Sequence, residues 1–363
     1  MSDAKTFGEL TELLGGFSPD NISSWVFVKS PLSLQHWTMN VVELLLILGA
    51  LWGLKFALTR YRAGETEFLG CWLASIIFML AIEVPVYFPE LLGADANSLY
   101  FIHNEFTVNF FFGRAPLYIM ALYPALMFTS YVLVRQTQIA SPRFFIVSSA
   151  IAVGTVHHIF YEIFDHFGPQ YGWWIWNYPN FGATIASVPV GSALGFAFLG
   201  PIGLALAVGW FWRGERAQDM GLHRTKAGIS VVLGKAALAG ICTPLLMILL
   251  MPATWFAVLG VEMTESAELW AAILMLSAAG LFTAGLFARS TIWGVSLQEG
   301  FSKPFLFVFL VVFLSLWAFA LSDSLRASGG LTDMGTPVGS LPYVALCLVL
   351  CVLTVTRKVP SRP

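Results

Sequence analysis

Long apolar runs dominate the chain, and short connections between them carry most of the charge. Nine runs approach the roughly 20 residues that a helix needs to cross a bilayer, at residues 40–59, 68–91, 113–134, 144–166, 183–212, 228–252, 268–288, 304–323 and 341–356. The fifth run is long and contains Pro189 and Pro201, so we expect a kinked or broken helix there. The pattern predicts an all-α, polytopic integral membrane bundle of about nine transmembrane helices.

The chain before the first run mixes polar and apolar positions. Its apolar patch, Trp25–Val28, is too short to span a membrane, and we expect it along the interface. Residues 1–20 contain four acidic residues and no long apolar stretch, which argues against a cleavable signal. We therefore predict an extracytoplasmic or interfacial segment 1–39, a single transmembrane domain 40–357 and a cytoplasmic tail 358–363.

Basic residues fall on alternate connections. Of the 19 Lys and Arg residues, 15 lie in the odd-numbered connections, in the tail or at the helix ends beside them. The four on the opposite side are Lys5, Lys29, Arg114 and Arg326. Cytoplasmic loops are enriched in Lys and Arg. This alternation predicts an N-terminus outside and a C-terminus in the cytoplasm of a multi-pass protein of the cell membrane.

Composition narrows the classes of partner. The chain is 57% hydrophobic and 11% charged, against about 25% charged residues in soluble domains. Its net charge of −2 offers no basic face, so nucleic acid is excluded as a partner. The four cysteines lie inside apolar runs and show neither disulfide nor metal spacing. A membrane lipid is a partner class compatible with this composition, and protein partners are left open.

One apolar run contains an unusual cluster of titratable residues. His157, His158, Glu162, Asp165 and His166 lie within ten residues of the fourth predicted helix. Ionisable residues within membrane helices are rare, and they commonly mark functional sites. At 100° per residue, His158, Glu162 and Asp165 fall within about 60° of one another, with His166 flanking them. We expect this stripe to face the bundle interior.

Other stretches place polar residues at the same predicted depth. Glu83 lies in the outer half of the second helix, and the connection 93–113 leads to Arg114 at the start of the third. Tryptophans follow the cluster and either anchor the helix at the interface or wall the mouth of the site. We predict catalytic roles for Glu162, Asp165, His158 and Glu83, and substrate-binding roles for His103, Glu105, Arg114, Trp173, Trp176 and His166.

Several chemistries fit this cluster. A carboxyl group in a dry site can stay protonated and act as a general acid on a lipid. His158, Glu162 and Asp165 could instead ligate a divalent metal ion whose bound water is the nucleophile of a hydrolase. The acid–base interpretation requires no cofactor. A proton relay in a transporter of a small or hydrophobic solute and a purely structural polar network are the remaining alternatives.

A local pattern around the cluster resembles the carotenoid hydratase family of integral membrane proteins. An acidic residue is followed by Phe167-Gly168, by Tyr171-Gly-Trp-Trp-Ile-Trp176 and, in the next helix, by Val188-Pro189. The resemblance covers residues 158–195. It implies acid-catalysed addition of water to an isoprenoid double bond, with Glu162 or Asp165 as the acid. Our leading interpretation is an intramembrane enzyme that modifies a lipid or isoprenoid in the outer half of the bilayer.

Overall fold

Helices form nearly the whole transmembrane region. The computed structural model describes residues 4–18, 20, 24–95, 98–136, 145–214, 227–290 and 301–356. Its helices are α1 Phe7–Leu14, α2 Trp37–Arg62, α3 Thr66–Tyr87, α4 Leu117–Gln136, α5 Phe145–Asp165, α6 Val190–Phe211, α7 Ile229–Leu250, α8 Pro252–Val258, α9 Glu265–Ser290, α10 Ser302–Arg326 and α11 Leu341–Thr356.

The predicted fold class is confirmed. In the described part of the chain, eight helices are long and apolar enough to cross a membrane, namely α2 to α7, α9 and α10. The ninth predicted run forms α11, an apolar helix of 16 residues, which is shorter than the others. The protein is therefore a polytopic, all-α membrane protein. Several basic residues of the predicted cytoplasmic connections, such as Arg143 and Arg224, and the tail 358–363 lie outside the described residues.

Short strands join three segments at one end of the bundle. The strands are β1 Val26–Val28, β2 Phe101–His103, β3 Val108–Phe110, β4 Ala115–Pro116, β5 Trp174–Trp176, β6 Thr184–Ile185 and β7 Val188–Pro189. β1 pairs with β3, and β2 pairs with β5 so that His103 lies opposite Trp174. The patch Trp25–Val28, which we expect along the interface, contains strand β1. We call these paired segments the outer layer, because the basic-residue pattern assigns this end to the outside.

Helix α4 lies at the centre of the bundle, whereas α9 lies at its edge. In the most apolar 18-residue stretch of α4, 89% of the residues are buried, whereas only 17% are buried in the corresponding stretch of α9. Helix α5 packs against α6 at Gly154, where a Cβ atom would lie 2.5 Å from Ile202 Cγ1 and 2.8 Å from the Phe198 carbonyl oxygen. Small residues permit such close approach between membrane helices, so Gly154 fixes α5 against α6.

Two helices contain a π-helical turn. In α4 the turn covers Tyr123–Met127, and in α6 it covers Gly195–Leu199. Such turns leave backbone carbonyls without their usual α-helical partner and often occur near functional sites. His157 Nδ1 donates a hydrogen bond of 2.7 Å to the Ala197 carbonyl. In the fifth run, where we expected a kink or break, a strand ends at Pro189 and is followed by α6 with its π-helical turn.

Candidate functional site

Three side chains near the end of α5 form a buried row with i,i+4 spacing. His158 Nδ1 lies 3.7 Å from Glu162 Oε1, and His166 Nε2 lies 3.4 Å from Glu162 Oε2. All three residues are buried, and both carboxylate oxygens of Glu162 lack a hydrogen-bond partner. The row confirms that this part of the predicted stripe faces the bundle interior. Glu162 therefore lies between two imidazoles, and both of its carboxyl oxygens are available for a further hydrogen bond.

Helix α11 completes this row. The Tyr343 hydroxyl and His158 Nε2 form a hydrogen bond of 2.6 Å. The backbone before α11 closes over the end of α5, where the Ser340 N–H donates to His166 Nδ1 at 3.4 Å. Sequence reasoning missed Tyr343. The available signal was its position as the one aromatic residue in the ninth apolar run.

A large cavity lies beside the row, and we call it the lateral pocket. Its volume is about 640 Å³, and residues of α5, α6, α9 and α11 line it, including Thr155, His158, Phe198, Leu276, Tyr343 and Cys347. Two lining residues, Leu281 of α9 and Leu346 of α11, are 77% and 55% exposed on the bundle surface. The pocket therefore opens sideways between α9 and α11, at the level of the membrane helices.

A second, much smaller cavity lies on the other side of α5. We call it the internal cavity; its volume is about 20 Å³, and its lining includes Glu83, His103, Asp165, Trp174 and Trp176. The three titratable residues among them come from α3, β2 and α5. Glu83 and Asp165, which we predicted at one depth, therefore line the same cavity.

The two acids and the histidine of the internal cavity each contact a hydroxyl group. Asp165 Oδ2 accepts a hydrogen bond of 3.1 Å from the Ser192 hydroxyl, and Glu83 Oε1 accepts one of 2.6 Å from Tyr123. His103 Nδ1 lies 2.9 Å from the Tyr118 hydroxyl. Burial lowers the pKa of His103 to about 3, so this imidazole is neutral at physiological pH.

The predicted stripe thus divides between two sites. Glu162 lies with the histidines and α11, whereas Asp165 contacts Ser192 and lines the internal cavity. Helical spacing gives the direction of a side chain around its axis, but the neighbouring helices decide which cavity it lines. Because of this division, His158, Glu162 and Asp165 do not converge, and no group of three or more His, Cys, Asp or Glu residues in the described ranges is arranged to hold a metal ion.

Two other predicted substrate-binding residues, Glu105 and Arg114, form contacts between separate segments of the chain. Glu105 is fully buried and pairs with Lys29 at 3.1 Å. The Arg114 guanidinium donates to the Tyr87 carbonyl oxygen and lies 4.4 Å from the ring centroids of both Phe7 and Phe88. The residues described as lining the two cavities include neither of them.

The tryptophans are buried within the protein. Trp173 has no exposed surface, and its Nε1 donates a hydrogen bond of 2.9 Å to the Thr38 hydroxyl of α2. Trp176 is 5% exposed and lines the internal cavity together with Trp174. Of the two interpretations of these residues, walling the site fits Trp176 and Trp174, whereas Trp173 packs in the core.

Comparison with known proteins adds a family. A family model described as "Domain of unknown function (DUF7802)" matches residues 26–208, half of the chain. The matched region contains β1 to β7, α2 to α5, most of α6, Glu83 and the cluster of α5, whereas α9 and α11 follow it. Neither a curated protein nor a solved structure matches the chain.

Proposed function

The chain belongs to the DUF7802 family, and on that premise we propose that it is a membrane enzyme acting on a lipid or isoprenoid. The substrate occupies the lateral pocket between α5, α9 and α11. Acid–base chemistry is carried out by Glu162 and His158, with Tyr343 at the pocket wall and His166 as the second partner of Glu162.

The observation that carries this proposal is the lateral pocket. Its volume of about 640 Å³ lies within the roughly 300–1,000 Å³ range of small-molecule sites. Its wall is formed mostly by aliphatic and aromatic side chains, and its polar lining residues are Thr155, Ser277 and the bonded pair His158 and Tyr343, which we call its polar end. An opening between membrane helices admits a ligand from the bilayer. These features suit a substrate that is mostly hydrocarbon and reacts at one place along its length.

The polar end of the pocket has the connections needed for proton transfer. Tyr343 and His158 both line the pocket and are joined by a hydrogen bond, and His158 Nδ1 faces Glu162. The Tyr343 hydroxyl can donate its proton to the substrate. His158 then donates a proton to Tyr343, and Glu162 donates one to His158. Proton transfer by positioned side chains of this kind contributes about 10²- to 10⁴-fold to rates. Glu162 acts through His158 in this scheme, and Asp165 and Glu83 lie apart from the substrate, at the internal cavity.

An isoprenoid is the substrate class that we propose. This choice rests on the resemblance of residues 158–195 to carotenoid hydratases, whose chemistry is protonation of an alkene and addition of water. The protein would carry out this reaction in the outer half of the cell membrane, with its N-terminus outside. The position of Glu162 between His158 and His166 supports its role in proton transfer, because a carboxyl group beside imidazoles can exchange protons with them.

Comparative lipid analysis tests the proposal. Lipids extracted from cells with and without the gene are compared by mass spectrometry, together with the lipids that co-purify with the protein. We expect a modified isoprenoid or other lipid that is present only with the gene, and its precursor bound to the purified protein. Identical lipid profiles combined with proton-driven solute uptake into reconstituted liposomes would favour the alternative of a proton-coupled transporter.

A further inference from the structure

The internal cavity is too small for the proposed substrate but large enough for a water molecule. Its volume is about 20 Å³, and a site needs only about 10–15 Å³ on this measure to hold one water. Glu83, His103 and Asp165 line it from three separate elements. It is therefore a polar site, and apolar cavities are the ones that stay dry.

Four buried polar atoms of the lining residues lack a protein partner. They are one acceptor, Glu83 Oε2, and three ring nitrogens, His103 Nε2, Trp174 Nε1 and Trp176 Nε1. Buried polar groups in proteins are almost always hydrogen-bonded, either to protein or to ordered water. The atoms of this cavity therefore point to a ligand that forms several hydrogen bonds within a very small volume.

The mixture of donors and acceptors identifies the ligand. An indole N–H can only donate, so Trp174 and Trp176 are unsuited to a metal cation. An anion would be placed beside the carboxyl groups of Glu83 and Asp165. Water both donates and accepts, and it fits neutral His103 as well as the indoles. A single water molecule is the ligand that satisfies both kinds of group.

A larger cavity, lined in part by the outer-layer strand β5, meets this site at Trp174. This outer vestibule has a volume of about 400 Å³, and its lining includes Gln35, His36, Tyr171, Thr336 and Trp174. Trp174 also lines the internal cavity, so this residue lies between the two spaces. Its ring packs on Gly168, where a Cβ atom would lie 1.9 Å from Trp174 Cζ3. Glycine at position 168 therefore permits the ring to occupy this place.

We propose that the internal cavity binds one water molecule, held by Glu83, His103 and the indoles of Trp174 and Trp176, and that the outer vestibule supplies it past Trp174. The vestibule thus connects the non-cytoplasmic side with the buried acids. The site does not depend on an enzymatic activity and is therefore tested separately from the proposed function.

Transfer of magnetisation from water to indole N–H groups tests the site without measuring activity. The protein is labelled with ¹⁵N at its tryptophans and embedded in a bilayer, and the indole signals are assigned with Trp174→Phe, Trp176→Phe and Trp173→Phe. We expect transfer from water to the Nε1–H groups of Trp174 and Trp176. Trp173 is the matched control, because its buried Nε1 donates to Thr38, and we expect no transfer there.

The route is tested by deuterium exchange at Trp176. Trp174→Ala removes the partition between the two cavities, and the Trp176 indole N–H should then lose its protection against exchange. Trp37→Ala, which alters an exposed tryptophan that lines neither cavity, should leave the protection unchanged. Absence of water transfer to both Trp174 and Trp176 in the wild-type protein would overturn the proposal. Such a result would not affect the lateral pocket, which is tested by bound lipid.

Discussion

The hydroxyl of Tyr343 on α11 and the imidazole of His158 on α5 lie 185 residues apart in the chain and form a hydrogen bond of 2.6 Å. The bond fixes α11, the shortest of the apolar membrane helices, against the polar side of α5. It also places a proton donor and an imidazole together at one end of an apolar pocket. A contact that served packing alone would not need an open pocket beside it, so this pair is the first place to test for chemistry.

Tyr343→Phe should lower turnover of the lipid substrate while leaving the fold intact. The change removes the hydroxyl that bonds to His158 but keeps the ring that lines the pocket. Interhelical hydrogen bonds in membranes contribute only about 0.6 to 1.7 kcal/mol, so a modest fall in thermal stability is expected. Product is measured by mass spectrometry, and unfolding is followed in detergent.

Tyr178→Phe serves as the control for Tyr343→Phe. Its hydroxyl donates to the Ser187 carbonyl at 3.0 Å within the outer layer, away from the lateral pocket. The control should show a similar small loss of stability with normal turnover. Equal turnover in both variants would remove Tyr343 from the mechanism.

Glu162→Gln should abolish most of the activity. The amide keeps the size of the side chain but cannot exchange a proton with His158, and the loss of such a group typically lowers rates by about 10²- to 10⁴-fold. Glu43→Gln is a matched control, because Glu43 is also a buried glutamate on a membrane helix. Its Oε2 accepts from the Thr107 backbone N–H, and it lines neither cavity. If both variants retained product formation, acid–base chemistry at Glu162 would be ruled out.

The positions of the helices were predictable because the bilayer imposes their length and composition. The run 341–356 matches α11 at both ends, and the cluster of α5 lies in the interior as expected. The outer layer was not predictable, since strands of two or three residues such as β2 and β5 are too short to show a periodic pattern. Their pairing depends on segments that lie about 70 residues apart.

The division of the site was also beyond the sequence. Helical spacing put Asp165 and Glu162 on one face, but Ser192 on α6 binds Asp165 while Tyr343 on α11 binds His158. Such partners are set by how helices pack, and a single sequence contains no signal for it. The contacts of Arg114 were equally unpredictable, because its aromatic partners are Phe7 of α1 and Phe88, which directly follows α3.

Acidification should destabilise the protein through His103. Burial lowers the pKa of this imidazole from 6.5 to about 3. Between these values the unfolded chain binds a proton that the folded protein excludes, so the free energy of unfolding falls as the pH falls. This contribution is at most about 1.4 kcal/mol for each pH unit.

Thermal unfolding between about pH 7 and pH 4 measures the contribution of His103. His103→Gln should lose less stability than the wild-type protein over this interval, whatever its stability at neutral pH. Other titratable groups contribute equally to both proteins, so the difference between the two slopes isolates the imidazole. Identical slopes would show that His103 is accessible to protons in the folded state.

Filling the lateral pocket should displace its ligand. Gly280 of α9 lines the pocket, and a Cβ atom there would have no heavy atom within 4 Å. Gly280→Leu therefore places a branched side chain in the pocket without a clash at the backbone. We expect loss of the co-purifying lipid and of product, measured together by mass spectrometry.

Gly285→Leu is the matched control for this change. Gly285 lies on the same helix, also has open space at its Cβ position, and is not among the residues that line the pocket. Both substitutions favour the helix by up to about 1 kcal/mol, so neither should unfold α9. Bound lipid should therefore disappear from Gly280→Leu and remain in Gly285→Leu. Lipid retained by both variants would place the ligand elsewhere, because a leucine at position 280 and a hydrocarbon chain cannot occupy the same volume.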